Sequence, residues 1–212
     1  MLNLKNYINK EQKLSKEQKI SIICLIIVIS GVFGWLYEVI FYYFNSGMTQ
    51  VYWRGGNFLP WINIYAYGAL LILFLTYKRR KKPLQVFLIS MISTGILEYF
   101  SGFILYGLLG WRKCWDYNQE ILNFGNINGY VCLRSVLIFG MCGLMLIYFI
   151  LPLLIQVAKK VDKKKLMIFS IILCSIFVFD EIYNFLLYRL LNLPKSTSIY
   201  KDLFHFKYLY FK

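Results

Sequence analysis

The sequence predicts an all-α fold, a polytopic membrane bundle of about five transmembrane helices with a cytoplasmic N-terminus. The first observation is composition: the 212 residues are 59% hydrophobic and only 16% charged. The second is that the hydrophobic residues form continuous runs of about 20 residues, the length that a helix needs to cross a bilayer. In lipid, only helices and closed β-barrels satisfy the hydrogen bonds of the backbone. The runs do not alternate between apolar and polar residues as barrel strands do, so the sequence predicts helices. The third is the distribution of positive charge between the runs.

The predicted helices are defined by the ends of the apolar runs. In chain order they are Ile20 to Phe44, Phe58 to Tyr77, Leu84 to Leu109, Leu133 to Val157 and Leu166 to Leu191. The second is the shortest, and Pro60 near its start suits a first helical turn; a partly re-entrant segment is the alternative there. We therefore expect a basic cytoplasmic segment at 1–19, a transmembrane bundle at 20–191 and an aromatic and basic tail at 192–212.

The basic residues alternate between the two sides of the predicted bundle. Lys and Arg number five before the first helix, then one, five, two and five in the successive loops. Because cytoplasmic loops are enriched in these residues, the N-terminus and the second and fourth loops are assigned to the cytoplasm. A basic inner surface facing anionic lipid accounts for the net charge of +14. The pattern indicates a multi-pass plasma-membrane protein that contacts lipid, and it argues against nucleic acid as a partner.

This topology places the acidic residues of the membrane segments in its outer half. They are Glu38, Glu98, Asp180 and Glu181. A charge at mid-membrane costs about 2.5–3.5 kcal/mol on insertion scales, so such residues are paired, protonated or functional. The sequence therefore predicts a polar site towards the outer face.

Two of these acids share a helical face with glycines. Glu38 follows Gly31 and Gly34, and Glu98 lies between Gly95 and Gly102. Both sets have the i, i+3, i+7 spacing of residues on one helical face. Glycines allow a neighbouring helix to approach closely. We therefore expect both acids to point into the bundle rather than towards lipid.

Structural pairing is the competing interpretation of each acid. Glu38 or Glu98 would pair with Arg54, Arg112 or Arg134, of which Arg134 lies at the right depth. Asp180 and Glu181 would form a polar stripe with Asn184 and Arg189. For these two acids, a network within the helix with Arg189 is favoured over a substrate role.

Several kinds of chemistry have little support in the sequence. Its single histidine is His205, in the tail, and an oxygen-only cation site from Glu38, Glu98 and Asp116 has no defined spacing. There is no P-loop and no G-x-G-x-x-G, so we expect no nucleotide and no cofactor on this chain. A disulfide between Cys114 and Cys132 is an open alternative on an oxidising outer face.

A series of short motifs resembles a known family. The order is G-W-L-Y-E ending at Glu38, R-G at Arg54, I-Y-x-Y-G, L-E-Y-x-x-G at Glu98, W-D-Y around Asp116, and N-I-N-G-x-x-C-L from Asn126. Together they resemble the putative ABC-transporter type IV family, also called CmpB-like, of small bacterial membrane proteins. The similarity runs from about residue 34 to residue 148. Tyr130 stands where the family usually has Arg.

The resemblance implies a permease-like transporter component working with a separate ATP-binding subunit. Its predicted site, for substrate binding or proton coupling, combines the buried charges with motif residues of the third loop: Glu38, Glu98, Arg134, Trp115, Asp116, Asn126 and Asn128. The acids favour a cationic or zwitterionic substrate, or a proton, and Arg134 would be a counter-ion or carboxylate clamp. Because the chain is small, a homo-oligomer is also an open alternative.

Two other function classes remain open at this point. One is an ATP-independent membrane enzyme or accessory factor that acts on lipid or envelope precursors at the outer leaflet, with Glu98 or Asp116 as general base. The other is a structural membrane protein whose acids have no chemical role.

Overall fold

The computed structural model describes residues 4–110, 113–204 and 209–211, and these residues are predominantly helical. The α-helices are α1 Leu4–Asn9, α2 Lys16–Asn45, α3 Asn63–Thr76, α4 Pro83–Gly102, α5 Leu133–Met145, α6 Leu151–Lys160, α7 Lys163–Ile182, α8 Tyr188–Leu190 and α9 Ser196–Leu203. More widely wound π segments follow α4, α5 and α7, at Phe103–Leu108, Leu146–Ile150 and Tyr183–Leu187. Short 3-10 turns lie at Tyr77–Arg79 and Tyr117–Gln119, and the two strands are β1 Val51–Trp53 and β2 Leu209–Phe211.

Four helical stretches of the described chain are long and apolar enough to cross a membrane. They are Lys16–Asn45, Pro83–Leu108, Leu133–Lys160 and Lys163–Leu190. The predicted all-α membrane bundle is therefore confirmed. The remaining predicted helix is α3, whose 14 residues span about 21 Å, less than the roughly 30 Å of a hydrocarbon core.

The first outer loop, residues 46–62, descends into the bundle before α3 begins. The amide of Ile62 donates to the Gly31 carbonyl of α2 at 3.0 Å, and Trp61 and Ile62 are buried. Helix α3 consequently starts at Asn63, five residues later than predicted. A Cβ on Gly31 would lie 3.1 Å from the Trp61 Cβ and 2.8 Å from the Phe177 ring. The glycine thus allows the loop to approach α2 closely.

The first long helix begins earlier than its apolar run. Ser15 caps α2, because its hydroxyl accepts from the Gln18 amide at 3.3 Å while the Gln18 side chain accepts from the Ser15 amide at 2.9 Å. This reciprocal capping box starts the helix among the lysines. Helix α2 packs against α3 and α7, and α4 packs against α3 and α5.

One end of the bundle gathers the N-terminal segment and the most basic loops. Arg80 donates to the carbonyls of Tyr7 and Lys10, at 3.2 and 3.1 Å, and so holds α1 against the loop after α3. The Gln18 side chain donates to the carbonyl of Ala158 at 2.6 Å, which joins α2 to the end of α6. We call it the inner end, because the charge pattern predicts that it faces the cytoplasm.

The opposite, outer end holds the first and third loops and the tail. Strand β1 of the first loop pairs in parallel with β2 of the tail. From α9, the hydroxyl of Ser196 donates to the Gly56 carbonyl at 2.7 Å and that of Tyr200 to the Phe58 carbonyl at 2.6 Å. The described tail therefore covers the first loop, at the end opposite α1. Tail residues 205–208 and 212, including His205, lie outside the described residues.

Candidate functional site

Two largely buried ion pairs lie at the outer end of the bundle. Arg54 Nε donates to Glu38 Oε2 at 2.8 Å, and Arg134 Nη2 donates to Glu120 Oε2 at 2.6 Å. The pairing of Glu38 with an arginine is thus confirmed, and the arginine is Arg54. Arg112, another predicted partner, lies outside the described residues.

Tyr42 connects the two pairs. Its ring lies 3.8 Å from the Arg54 guanidinium carbon, and its hydroxyl donates to Glu120 Oε1. Arg54 Nη2 also donates to the Cys114 carbonyl at 3.0 Å, which joins the first and third loops. Burial lowers the pKa of Arg54, but the Glu38 carboxylate outweighs it and keeps that pKa above its ordinary value.

Glu98 is held differently from the other acids. It is buried on α4, accepts from the Tyr117 hydroxyl at one oxygen, and lies 2.8 Å from the Ser135 hydroxyl at the other. Within the described chain it forms no ion pair. Glycines on both predicted faces do admit close neighbours: a Cβ on Gly95 would lie 2.7 Å from the Val136 side chain.

A small inner cavity of about 40 Å³ collects these groups. Its wall is both charged and aromatic, and is lined by Tyr37, Glu38, Phe41, Tyr42, Ile64, Tyr65, Glu98, Trp115, Tyr117, Glu120, Arg134, Ser135, Ile138 and Phe139. The volume suits one or a few waters or a cation of similar size. The structure therefore brings three predicted site residues, Glu38, Glu98 and Arg134, to one cavity, together with Trp115.

A larger outer vestibule of about 1050 Å³ lies between the loops and the tail. Its charged lining comprises Glu38, Arg54, Lys113, Asp116, Glu120, Glu181, Arg189, Lys195 and Lys201. Both spaces are lined by Glu38, Tyr42, Ile64, Trp115 and Glu120. These shared residues form the boundary between the vestibule and the inner cavity.

The motif residues of the third loop stabilise the conformation of that loop. Asn128 and Gly129 both have positive φ, of 57° and 75°, and the Tyr130 amide closes the turn onto the Ile127 carbonyl at 3.0 Å. This is the Asn-Gly turn that suits a tight hairpin. Asn126 accepts from the Gly129 amide at 2.9 Å.

The same loop orients Tyr117 and Trp115. The Tyr117 amide donates to the Gly129 carbonyl at 3.1 Å, and Trp115 Nε1 donates to the Tyr130 carbonyl at 2.9 Å. Asn126 and Asn128 line neither space, so their part in substrate binding stays a prediction, while their visible contacts position the loop.

Asp116 lines the vestibule next to Lys113, whose ammonium lies 2.9 Å from its carboxylate. Partial burial raises the pKa of Asp116, but hydrogen bonds from Lys113 and Asn118 outweigh it and hold that pKa below its ordinary value.

The acids of α7 have mainly structural partners. Asp180 accepts from the amides of Phe58 and Leu59, both at 2.9 Å, and from Asn184 at 2.8 Å. Glu181 accepts from the Asn63 side chain. Asn184, a member of the predicted polar stripe, is thus a partner of Asp180, whereas Arg189 donates to the Tyr188 hydroxyl at 2.6 Å.

Sequence reasoning missed Glu120, Tyr117 and Ser135. The available signal for Glu120 was Arg134 at the start of a membrane helix, because a buried guanidinium requires a carboxylate at the same depth. The only sequence signal for Tyr117 was its place at the end of the W-D-Y motif.

The described part of the chain contains neither a candidate metal site nor a disulfide. No group of three or more His, Cys, Asp or Glu side chains there is placed to hold a metal ion. Cys114 and Cys132 are free thiols, the first exposed and the second buried.

Comparison with known proteins extends the motif resemblance. A family model described as "Putative ABC-transporter type IV" matches residues 25–185, from α2 into the π segment after α7. No curated protein and no solved structure matches the chain.

Proposed function

The chain belongs to the putative ABC-transporter type IV family, and from this premise we propose that it is the permease-like membrane component of an ABC-type transporter in the bacterial plasma membrane. The observation that carries the proposal is the pair of adjoining spaces at the outer end. A vestibule of about 1050 Å³ is large enough for a small metabolite, and it adjoins a buried, charged cavity.

Charge favours a cationic or zwitterionic substrate. The inner cavity is lined by the carboxyl groups of Glu38, Glu98 and Glu120 but by the guanidinium of Arg134 alone. Arg54 pairs with Glu38 from the vestibule side. Aromatic rings also attract cations through their faces, as the stacking of Arg134 on Phe41 at 4.0 Å illustrates.

The N-terminal segment is the favoured contact for a separate ATP-binding subunit. The cytoplasmic connections after α3 and α6 are short, while residues 4–15 contain α1 and are held by Arg80. Lys10 and Lys13 are exposed on this segment. A segment held against the bundle can transmit a movement that an unattached segment cannot.

Gentle affinity purification from native membranes, followed by mass spectrometry, tests the partner. We expect a stoichiometric nucleotide-binding subunit with the wild type and its loss from Lys10→Glu/Lys13→Glu. Lys201→Glu, the matched control at the outer end, keeps it. Absence of this subunit from the wild type, in conditions that preserve a known ABC complex, contradicts the proposal and favours an ATP-independent membrane enzyme.

A thermal-shift screen of the purified protein tests the substrate class. Small cationic and zwitterionic metabolites are expected to raise the unfolding midpoint of the wild type, and anionic ones of similar size to leave it unchanged. Glu38→Gln should reduce the shift. Size-exclusion chromatography with light scattering on the same sample reports whether the chain forms a homo-oligomer.

A further inference from the structure

The hydrogen bonds around Glu98 require more hydrogens than the neighbouring hydroxyls supply. The Ser135 hydroxyl lies 2.8 Å from Glu98 Oε2 and also 2.8 Å from the Cys132 carbonyl oxygen. A serine hydroxyl has one hydrogen to donate. If it donates to the Cys132 carbonyl, which is only an acceptor, the hydrogen between Ser135 and Glu98 must belong to Glu98.

The other oxygen of Glu98 already accepts a hydrogen bond. Tyr117 donates its hydroxyl hydrogen to Glu98 Oε1. Burial raises the pKa of Tyr117 well above its ordinary value, so the phenol keeps its hydrogen. Glu98 as a neutral acid, accepting at Oε1 and donating from Oε2, satisfies every contact of the group.

The charge balance of the cavity also favours the neutral form of Glu98. Glu38 is neutralised by Arg54 and Glu120 by Arg134, so an ionised Glu98 would carry the one uncompensated charge in this group of five. An unpaired buried charge is strongly unfavourable. The titratable or charged groups that line the cavity with Glu98 are Tyr37, Glu38 and Tyr42 of α2, Tyr65 of α3, Tyr117 and Glu120 of the third loop, and Arg134 of α5.

The inner cavity that holds this acid adjoins the outer vestibule. Glu98 lines the inner cavity, which has room for a water, and the cavity shares Glu38, Tyr42 and Glu120 with the open vestibule. Arg134 Nε, a buried donor with no protein partner in the described chain, belongs to a residue lining the same cavity.

We propose that Glu98 holds a proton in the resting protein and exchanges it with the external medium through the inner cavity and the outer vestibule. In the exchange, the O–H bond at Glu98 Oε2 breaks and the proton passes to a cavity water, which becomes hydronium. When the hydronium passes its proton to water in the vestibule, the carboxylate left behind gives the cavity a net negative charge.

The consequence for transport rests on the proposed function. If the cationic group of a substrate enters the cavity, the proton and that group compete for one carboxylate, and substrate binding releases a proton outward. The protonation itself does not depend on an ATP-binding partner, so failure of one proposal is distinguishable from failure of the other.

Infrared spectroscopy of the full-length protein in lipid vesicles tests the inference. At neutral pH the wild type should show a carboxylic-acid C=O stretching band that is absent from Glu98→Gln. The Gln amide can accept from Tyr117 and donate to Ser135, so this variant should fold. Glu181→Gln, a matched substitution of another membrane acid, should keep the band.

A second variant assigns the band without removing the carboxyl group. Tyr117→Phe deletes the hydrogen bond to Oε1, so the band should move to higher frequency. In sealed vesicles captured through a tag on the tail, with the outer face exposed, raising the external pH should diminish it. Absence of the band in the wild type, its persistence in Glu98→Gln, or a response to internal pH alone would overturn the inference.

Discussion

Arg54 and Glu38 form an ion pair, 2.8 Å from Nε to Oε2, where the outer vestibule meets the inner cavity. The pair fixes the first outer loop to α2. Because Arg54 also donates to the Cys114 carbonyl, one side chain holds both outer loops in place over the cavity.

Removing the arginine should destabilise the protein far more than removing an exposed cation. The side chains of Arg54 and Glu38 are only 10% and 16% exposed, so Arg54→Ala leaves Glu38 buried and unpaired, at a cost of about 3–5 kcal/mol. Thermal or denaturant unfolding in detergent measures the loss.

The control for Arg54 is the exposed pair of Lys113 and Asp116, whose lysine is 42% exposed. Lys113→Ala should cost at most about 1 kcal/mol. The double variant Glu38→Gln/Arg54→Met should recover part of the stability lost in Arg54→Ala. Equal losses in Arg54→Ala and Lys113→Ala would contradict a buried pair.

The close approach of the first outer loop to α2 predicts intolerance at Gly31. A Cβ there would meet the Phe177 ring at 2.8 Å and Trp61 at 3.1 Å, so Gly31→Ala should destabilise by about 1–3 kcal/mol through overpacking. At Gly68, in α3, the nearest atoms lie at 3.6 and 3.7 Å, ordinary contacts. Gly68→Ala should be neutral or stabilising by about 0.5–1 kcal/mol. Similar unfolding midpoints for both variants would show that the loop is not packed there.

The hairpin of the third loop gives a matched pair of glycines. Gly129 and Gly110 both have positive φ, but a Cβ would meet Asp116 and Asn118 at Gly129 and nothing within 4 Å at Gly110. Both alanine variants carry the backbone cost of a left-handed residue, about 1 kcal/mol. Gly129→Ala should lose more stability than Gly110→Ala and expose the Tyr117 region to hydrogen exchange. Equal effects would mean that the steric contact at Gly129 is unimportant.

Arg80 holds the N-terminal segment by two hydrogen bonds, in addition to the packing of buried Tyr7. Arg80 is buried and donates to the carbonyls of Tyr7 and Lys10, whereas its neighbour Arg79 is exposed. In inside-out membrane vesicles, Arg80→Ala should make the chain near Lys10 several-fold more sensitive to trypsin. Arg79→Ala should leave the cleavage rate there unchanged, and an unchanged rate in both variants would contradict the proposed attachment.

The fold was largely predictable because continuous apolar runs and the alternation of basic loops are local properties of the sequence. The start of α3 was not, because residues 58–62 are held in a loop by partners far along the chain, such as Asp180. Apolarity cannot distinguish a buried loop from a buried helix.

The site was predictable at the level of its acids and less so in its pairing. Depth in the membrane identified Glu38, Glu98 and Arg134, which do line one cavity. The choice of Arg54 over Arg134 as the partner of Glu38 depends on how the loops fold back. The motif residues Asn126 and Asn128 carry a signal for turn geometry, which a motif match alone does not separate from ligand binding.

The packing of the first outer loop also sets the order in which the outer end of the bundle is assembled. The amides of Phe58 and Leu59 bond to Asp180, 122 and 121 residues later in the chain. During synthesis the first outer loop enters the membrane region before α7 exists, so these two amides must remain hydrated or bonded elsewhere until the last long helix inserts. Completion of the vestibule is therefore a late step of biogenesis, and a chain truncated before α7 would display its first loop to the outside in an unfinished form.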